Sequence, residues 1–200
     1  LRPVMTSIYF DVSRENITFV ASDGHKLVKL NNNTIRCDND CHFMLPIKAA
    51  NLLKVLLAKQ TDTVKIIFDL NRAIISISDY TISVRFEEGR YPNYNSVIPN
   101  SNPYSFEVSR DALLATVKRI STLGNKATNM VKFDLSESKL IVSSQDIDFS
   151  TAAEENINIE YSGVPMDIGF KSTFLVEILN SIQSEEVSFD LSDPTRAAII

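Results

Sequence analysis

Glycine is scarce: five residues in 200 is about a third of the usual share, which argues against a glycine-rich phosphate-binding loop. Proline, at seven residues, is also sparse. Cysteine and histidine number two each, as Cys37 and Cys41 in Cys-Asp-Asn-Asp-Cys-His, with His42 in that run and His25 apart from it. A structural zinc site needs four ligands, and no second Cys or His pair exists to complete one. Two cysteines do not make a disulfide scaffold, so both are read as free thiols in a polar connecting loop. No stretch approaches the ~18 uncharged apolar residues of a membrane span, and no basic-then-apolar leader opens the chain. Because it begins at Leu1, the chain is expected to be an interior piece of a longer, soluble, intracellular protein.

What is present is enough apolar sequence for a sizeable core, with 44% hydrophobic and 22% charged residues, and disorder is excluded. The chain also repeats itself. Phe-Asp followed by Val or Leu occurs at Phe10-Asp11-Val12, Phe68-Asp69-Leu70, Phe133-Asp134-Leu135 and Phe189-Asp190-Leu191, with spacings of 58, 65 and 56 residues. After these copies come a polar break and an alternating apolar run, as in Ile17 to Ala21, Ala73 to Ser78 and Lys139 to Ser143. Period-two alternation rich in Ile and Val, bounded by polar turns, reads as β-hairpins. In three copies the second strand is expected to end in Ser with an acid following: Ser22 with Asp23, Ser78 with Asp79, and Ser143 with Asp146.

Helical patterns precede three of the four hairpins. Leu45 to Lys59 opens with Pro46 and spaces Leu52, Leu53, Leu56 and Leu57 for one face. Ser109 to Leu123 opens on a capping serine, with Leu113, Leu114, Val117 and Ile120 on one face. Ser172 to Gln183 does the same with Phe174, Leu175, Ile178, Leu179 and Ile182. Between the two pairs of units, Asn93 to Tyr104 is dense in Asn, Ser and Pro and carries no charge, which is linker composition. The expected architecture is α+β, with two pairs of helix-plus-antiparallel-sheet units.

Charge sorts by element. Residues 45–60 carry +3, residues 109–126 carry +3 and residues 171–184 carry none, although the whole chain is −5. The rest therefore carries −11. A chain acidic everywhere except on its helices presents one surface to a polyanion. No aromatic residues interleave these lysines, so contact with phosphates is indicated and stacking on single-stranded bases is not.

Motifs for chemistry are missing: there is no Gly-x-Ser-x-Gly elbow, no phosphate loop and no His-Glu-x-x-His. Ser22, Asp23 and His25 lie too close together to form a triad, because adjacent strand residues face opposite ways. Glu87-Glu88 and Glu154-Glu155 are read as solvated surface acids. The chain is expected to be no enzyme and to need no metal or cofactor.

Three blocks carry a resemblance: Leu1-Arg2-Pro3-Val4-Met5 with Ala21-Ser22-Asp23-Gly24-His25-Lys26-Leu27; Phe86-Glu87-Glu88-Gly89-Arg90-Tyr91-Pro92-Asn93-Tyr94; and Tyr161-Ser162-Gly163 leading to Met166-Asp167-Ile168-Gly169-Phe170. Together, over nearly the whole chain, they resemble the bacterial DNA polymerase III beta subunit family, the sliding clamps. The resemblance implies two DNA-clamp-like domains, residues 1–99 from the second clamp domain and 100–200 from the third, without the first domain, the start of the second, or the last strand and tail. It implies a homodimeric ring around double-stranded DNA, gripping the phosphate backbone without sequence preference and tethering the replicative DNA polymerase, the clamp loader and other peptide-bearing partners. The implied place is the bacterial cytoplasm, at the nucleoid, with no membrane contact.

By position, the family's peptide pocket between these two domains maps to Met5, Ser22, Gly24, His25, Lys26, Leu27, Pro92 and Val97 from the second. From the third it maps to Thr128, Lys171, Phe174, Thr195 and Ala197. Lys26 stands where arginine is common, Ser22 where threonine is common and Ser96 where a basic residue is frequent. For DNA, Arg2, Lys48 and Arg119 match basic positions of the family, and helix charge adds Lys54 and Lys118. The alternative reading is a non-catalytic, protein-binding repeat scaffold without DNA contact.

Overall fold

Each Phe-Asp copy falls at or near the end of a strand, and in the first three copies that strand opens a hairpin. The computed structural model of the chain describes residues 2–35, 37, 39–58 and 63–200. Leu1 and Lys59, both invoked above, lie outside the described residues.

The chain divides into two compact units, Leu1–Tyr94 and Asn95–Ile200. The division falls five residues before the expected one at 99/100, and Tyr94 shows why. Its hydroxyl donates to Asp11 Oδ2 at 2.8 Å, and its ring lies 6.1 Å from that of Tyr9, so it is tied into the first unit.

In the first unit a short 3-10 turn (Pro3–Thr6) leads into β1 (Ser7–Val12), β2 (Ile17–Ser22), β3 (Leu27–Asn32) and β4 (Cys41–Pro46). Helix α1 (Ile47–Leu57) follows, then β5 (Lys65–Phe68), β6 (Arg72–Ile77) and β7 (Tyr80–Arg85). The strands form two antiparallel sheets, ordered β3-β2-β1-β4 and β5-β6-β7. In the second unit β8 (Tyr104–Ser109) leads to α2 (Arg110–Ile120), β9 (Met130–Ser136), β10 (Lys139–Asp146), β11 (Thr151–Asn158) and β12 (Met166–Lys171). Helix α3 (Ser172–Ser181) and β13 (Glu186–Leu191) complete it. Its sheets are ordered β11-β10-β9-β12 and β13-β8. The four-stranded sheets thus share one order, third-second-first-fourth, as an internal repeat requires.

Alternation builds the cores. On β9 Val131, Phe133 and Leu135 are fully buried, and on β10 Leu140 and Val142 are their counterparts. In the first unit Phe43 stacks between Phe10 (4.5 Å) and Phe86 (4.4 Å), with Ile75, Ile77 and Val84 around them. One repeat copy has diverged. Val12, Leu135 and Leu191 are buried, but Leu70 is 95% exposed, because Asp69 closes a tight turn there by accepting from the backbone N–H of Asn71 and Arg72.

Helix α2 buries the expected face of Leu113, Leu114, Val117 and Ile120, and Ser109 caps it by accepting from the Ala112 N–H. Helix α1 departs from expectation. Leu45 and Pro46 belong to β4, and it is Ala49, Ala50, Leu53 and Leu56 that pack on the core, leaving Leu52 and Leu57 exposed. The two alanines allow the helix to approach the sheet closely, and that sets its rotation. Helix α3 begins with Lys171 as its cap, and Ser172 is buried in its first turn. Strand β10 runs on to Asp146, so Ser143 lies inside it and does not end it.

The two thiols are free, but Cys41 opens β4, and both cysteines rest against the first unit's core. The expected polar loop is therefore corrected for Cys41: its alternate position on β4 turns it inward. No helix among the described residues is long and apolar enough to cross a membrane. None of them form a group of three or more His, Cys, Asp or Glu side chains that could hold a metal.

Candidate functional site

The first unit carries its candidate peptide-contacting residues on one hairpin end and one turn. Ser22, Gly24, His25, Lys26 and Leu27 connect β2 to β3, and the sequence itself dictates the turn. Asp23 Oδ1 accepts from the N–H of His25 and of Lys26, both at 2.9 Å, while Oδ2 takes the Lys26 ammonium at 2.6 Å. Ser22 Oγ donates to the Lys26 carbonyl and accepts from the Gly24 N–H. Gly24 adopts φ +85°, a backbone angle that costs glycine little. Burial alone raises the Asp23 carboxyl, but the Lys26 side chain and the N–H groups of Lys26 and His25 outweigh it and hold the group well below the usual carboxylate range. These bonds make Ser22 and Asp23 turn-builders.

Leu27 packs on a small apolar cluster formed by Val20, Met44 and Tyr91, together with Val4, Tyr9 and Tyr94. Tyr9 and Tyr91 stack at 4.7 Å, and Lys29 stands 5.5 Å over the Tyr94 ring. Pro92 is exposed between these tyrosines, and Met5 is half-buried in the 3-10 turn that packs beside β1 and β2. The structure therefore gathers Leu27 and the chain around Pro92 at one edge of the first unit. The tyrosines were missed in the sequence, although Tyr9, Tyr91 and Tyr94 together mark an aromatic shelf.

In the second unit Thr128, Lys171 and Phe174 meet at one corner. The Lys171 ammonium stands 4.9 Å over the Phe174 ring, and Lys171 pairs in register with Met130. The Ser172 N–H donates to the Asn129 carbonyl at 2.7 Å, which binds the 125–129 turn to the start of α3. Thr128 lies exposed on that turn, its own N–H donating to Asn125. Thr195 and Ala197 form another group: Thr195 is bonded to Asp193, and the Ala197 carbonyl accepts from Asn102 at 3.3 Å. Val97 was grouped with the second clamp domain, but it falls in the second unit and is 64% exposed. The division between Tyr94 and Asn95 falls inside the linker-like stretch Asn93 to Tyr104.

Of the two basic helices, α2 spends part of its charge inside the fold. Lys48 and Lys54 stand on the exposed side of α1 and make no ion pair among the described residues. On α2 only Lys118 is free in this sense. The Arg110 guanidinium donates to the Ser184 carbonyl at 2.8 Å and pairs with Asp111. Lys126 donates to the carbonyls of Ser121 and Thr122, at the end of the helix where a cation is favoured. Arg119 is held in a two-pronged grip by Glu155, at 2.8 and 2.7 Å, with the Thr116 hydroxyl donating to the same carboxylate at 3.0 Å. The Arg119 bond, together with Thr116, holds the Glu155 carboxyl at about 2 and raises the guanidinium further.

The reading of Glu154-Glu155 as solvated acids suits the exposed Glu154 but not Glu155. Both residues lie in β11, and Glu155 faces α2. Arg2 is exposed at the entrance of the 3-10 turn. The two units also differ in charge, with 12 basic against 10 acidic residues up to Tyr94 and 8 against 15 after it.

These features match known proteins domain by domain. Residues 1–93 match the family model for the DNA polymerase III beta subunit, central domain, and residues 95–200 the model for its C-terminal domain. The chain belongs to the DNA polymerase III beta subunit family. Among sliding clamps, the beta sliding clamp of Pseudomonas aeruginosa is 25% identical over 201 residues, covering 100% of this chain and 54% of that relative. The beta sliding clamp of Escherichia coli is 24% identical over 193 residues, 96% of this chain and 52% of that clamp. The chain thus spans about half the length of the curated clamps it matches. A crystal structure of the Pseudomonas aeruginosa DNA polymerase III subunit beta superimposes with a TM-score of 0.93 at 25% identity, over 99% of this chain and 54% of that one. The Thermotoga maritima beta subunit shares the clamp fold with a TM-score of 0.90 at 23% identity, over 98% of this chain and 53% of that one.

Proposed function

We propose that this chain is the portion of a bacterial processivity factor that lends helix-borne cations to a ring around duplex DNA and carries docking residues for polymerase-borne peptides. The observation that carries the reading is the placement of free charge. Lys48 and Lys54 on α1 and Lys118 on α2 stand on exposed faces of helices whose other faces pack on their sheets. Such cations hold phosphates without reading bases, so a duplex enclosed by them stays mobile along its axis. Topological enclosure then supplies persistence, and individual contacts stay weak. Arg2 adds to this set, while Arg119 serves first to join α2 to β11.

Ring closure needs a partner edge. Strand β11 forms the outer edge of its sheet, and Leu123, Ile147 and Phe149 are exposed near its start, at 44%, 81% and 80%. An open strand with neighbouring apolar side chains suits pairing with another subunit in a homodimeric ring. The role is non-catalytic, the place of action the cytoplasm at the nucleoid, and the partners are the replicative polymerase, the clamp loader and other proteins bearing the same kind of peptide.

Peptide docking rests on Leu27 and Pro92 in the first unit and on Val97, Lys171 and Phe174 in the second. A short peptide with glutamine, leucine and a terminal Leu-Phe pair should compete with polymerase for the full-length protein. Val97→Asp should weaken that peptide by about 2–4 kcal/mol, by stranding a charge against apolar anchors. Ser143→Asn, inside β10, should leave calorimetric affinity unchanged. Equal losses at both positions would indicate unfolding, and no loss at Val97 would place the peptide elsewhere.

A further inference from the structure

The second unit holds a groove of about 1020 Å³ that none of the residues placed above in DNA or peptide contact lines. Its floor is β8 at Ser105, Phe106 and Glu107, and its wall is the β9–β10 turn with residues 158–162. Met130, Thr128 and Lys171 stand at one end of β9, whereas Glu137 lies just beyond the other. At ~3.3 Å per residue the groove is about 20 Å along the strand from the Lys171–Phe174 corner.

Two independent features of the groove point to the same kind of occupant. The first is an open strand edge. β8 pairs only with β13, so its other edge presents unpaired N–H and carbonyl groups. Asp190 turns its N–H and carbonyl to Ile199, so by antiparallel alternation Phe106 pairs with Phe189 while Ser105 and Glu107 turn their main-chain groups to the free edge. The second feature is charge. Glu107, Glu137 and Glu160 line the groove, and no lysine or arginine does. Nor do these three carboxylates make an ion pair among the described residues, unlike Glu155. They stand in the unit that has 8 basic against 15 acidic residues.

We propose that this groove takes an extended, lysine- or arginine-bearing segment of a partner protein, added as a strand to the free edge of β8. Main-chain bonds to β8 give such a segment its register, and basic side chains at alternate positions fall on one face, toward Glu107, Glu137 and Glu160. The carboxylates select against acidic segments, since like charge would meet like.

The test uses the full chain and a labelled probe of three Val-Lys repeats, with a Val-Glu counterpart, in fluorescence anisotropy. The lysine probe should bind and the glutamate probe should not. The double variant Glu107→Gln with Glu160→Gln should lose at least about tenfold in affinity while keeping its thermal unfolding midpoint. Hydrogen exchange at Ser105 and Glu107 should slow when the lysine probe is present. Equal binding of both probes would overturn the proposal, as would undiminished binding by the double variant or protection on another edge such as β3 or β11. Protection of the β8 edge before any probe is added would assign the groove to a segment of the protein's own chain, and would overturn it as well.

Discussion

The sharpest prediction separates two adjacent cations on α2. Lys118 is free among the described residues, whereas the Arg119 guanidinium is already bound at two points by Glu155. Binding to duplex DNA weakens with salt at a logarithmic slope of about 0.9 per phosphate neutralised, so Lys118→Ala should flatten the slope by about 0.9 per engaged subunit. Removing Lys48, Lys54 and Lys118 together should flatten it by about 2.7 on the same basis. The paired change Arg119→Gln with Glu155→Gln deletes a cation and its counter-charge together, and should leave the slope where it was. Glu155→Gln alone frees the guanidinium and should steepen it by up to about 0.9. The assay is anisotropy of a labelled duplex with the full-length protein over a series of sodium chloride concentrations. A paired variant that loses as much slope as Lys118→Ala would refute the reasoning, because Arg119 would then be spending its charge on phosphate.

Other consequences are equally direct. Glu155 titrates at about 2 in the fold against an ordinary 4.5, so its stabilising effect is complete above 4.5 and fades as pH falls toward 2. Glu155→Gln should therefore blunt that part of the acid-unfolding curve followed by circular dichroism, and an unchanged curve would contradict the pairing. Leu135→Ala should cost about 2–5 kcal/mol in urea unfolding, while Leu70→Ala at the matching repeat position should stay within about 0.5. Gly163→Ala would drive a Cβ into the buried Tyr161 ring, so it should cost about 1–3 kcal/mol by overpacking, read as a lowered unfolding midpoint.

The hairpins and the α2 face were legible because they depend on local periodicity. Leu113, Leu114, Val117 and Ile120 recur at helical spacing, and the Phe-Asp copies mark strand ends wherever they occur. The β2–β3 turn was legible too, since Ser22, Asp23 and Gly24 carry its bonding within five residues. The rotation of α1 was not. Leu52, Leu53, Leu56 and Leu57 offer two adjacent faces, and the choice depends on Ala49 and Ala50 meeting a sheet built from distant residues. Nor was the fate of charge legible: Arg119 and Glu155 are 36 positions apart, and no local pattern announces that β11 brings them together. Formal helix charge counted +3 on residues 109–126, yet Lys118 is the cation there left free among the described residues. The residues proposed for peptide contact divided similarly. The hairpin set is contiguous in sequence, whereas Thr128 and Phe174 become neighbours only through the register of β9 with β12.

Enclosure of DNA is the central claim, and topology tests it more directly than affinity does. The full-length protein, loaded by a bacterial clamp loader onto nicked circular duplex, should remain bound through a wash at high salt, where phosphate contacts alone fail. Cutting the circle once should then release it from the free ends. Equal loss from circular and linear DNA at high salt would mean that the chain holds the duplex by contact and not by encirclement, and would contradict the account.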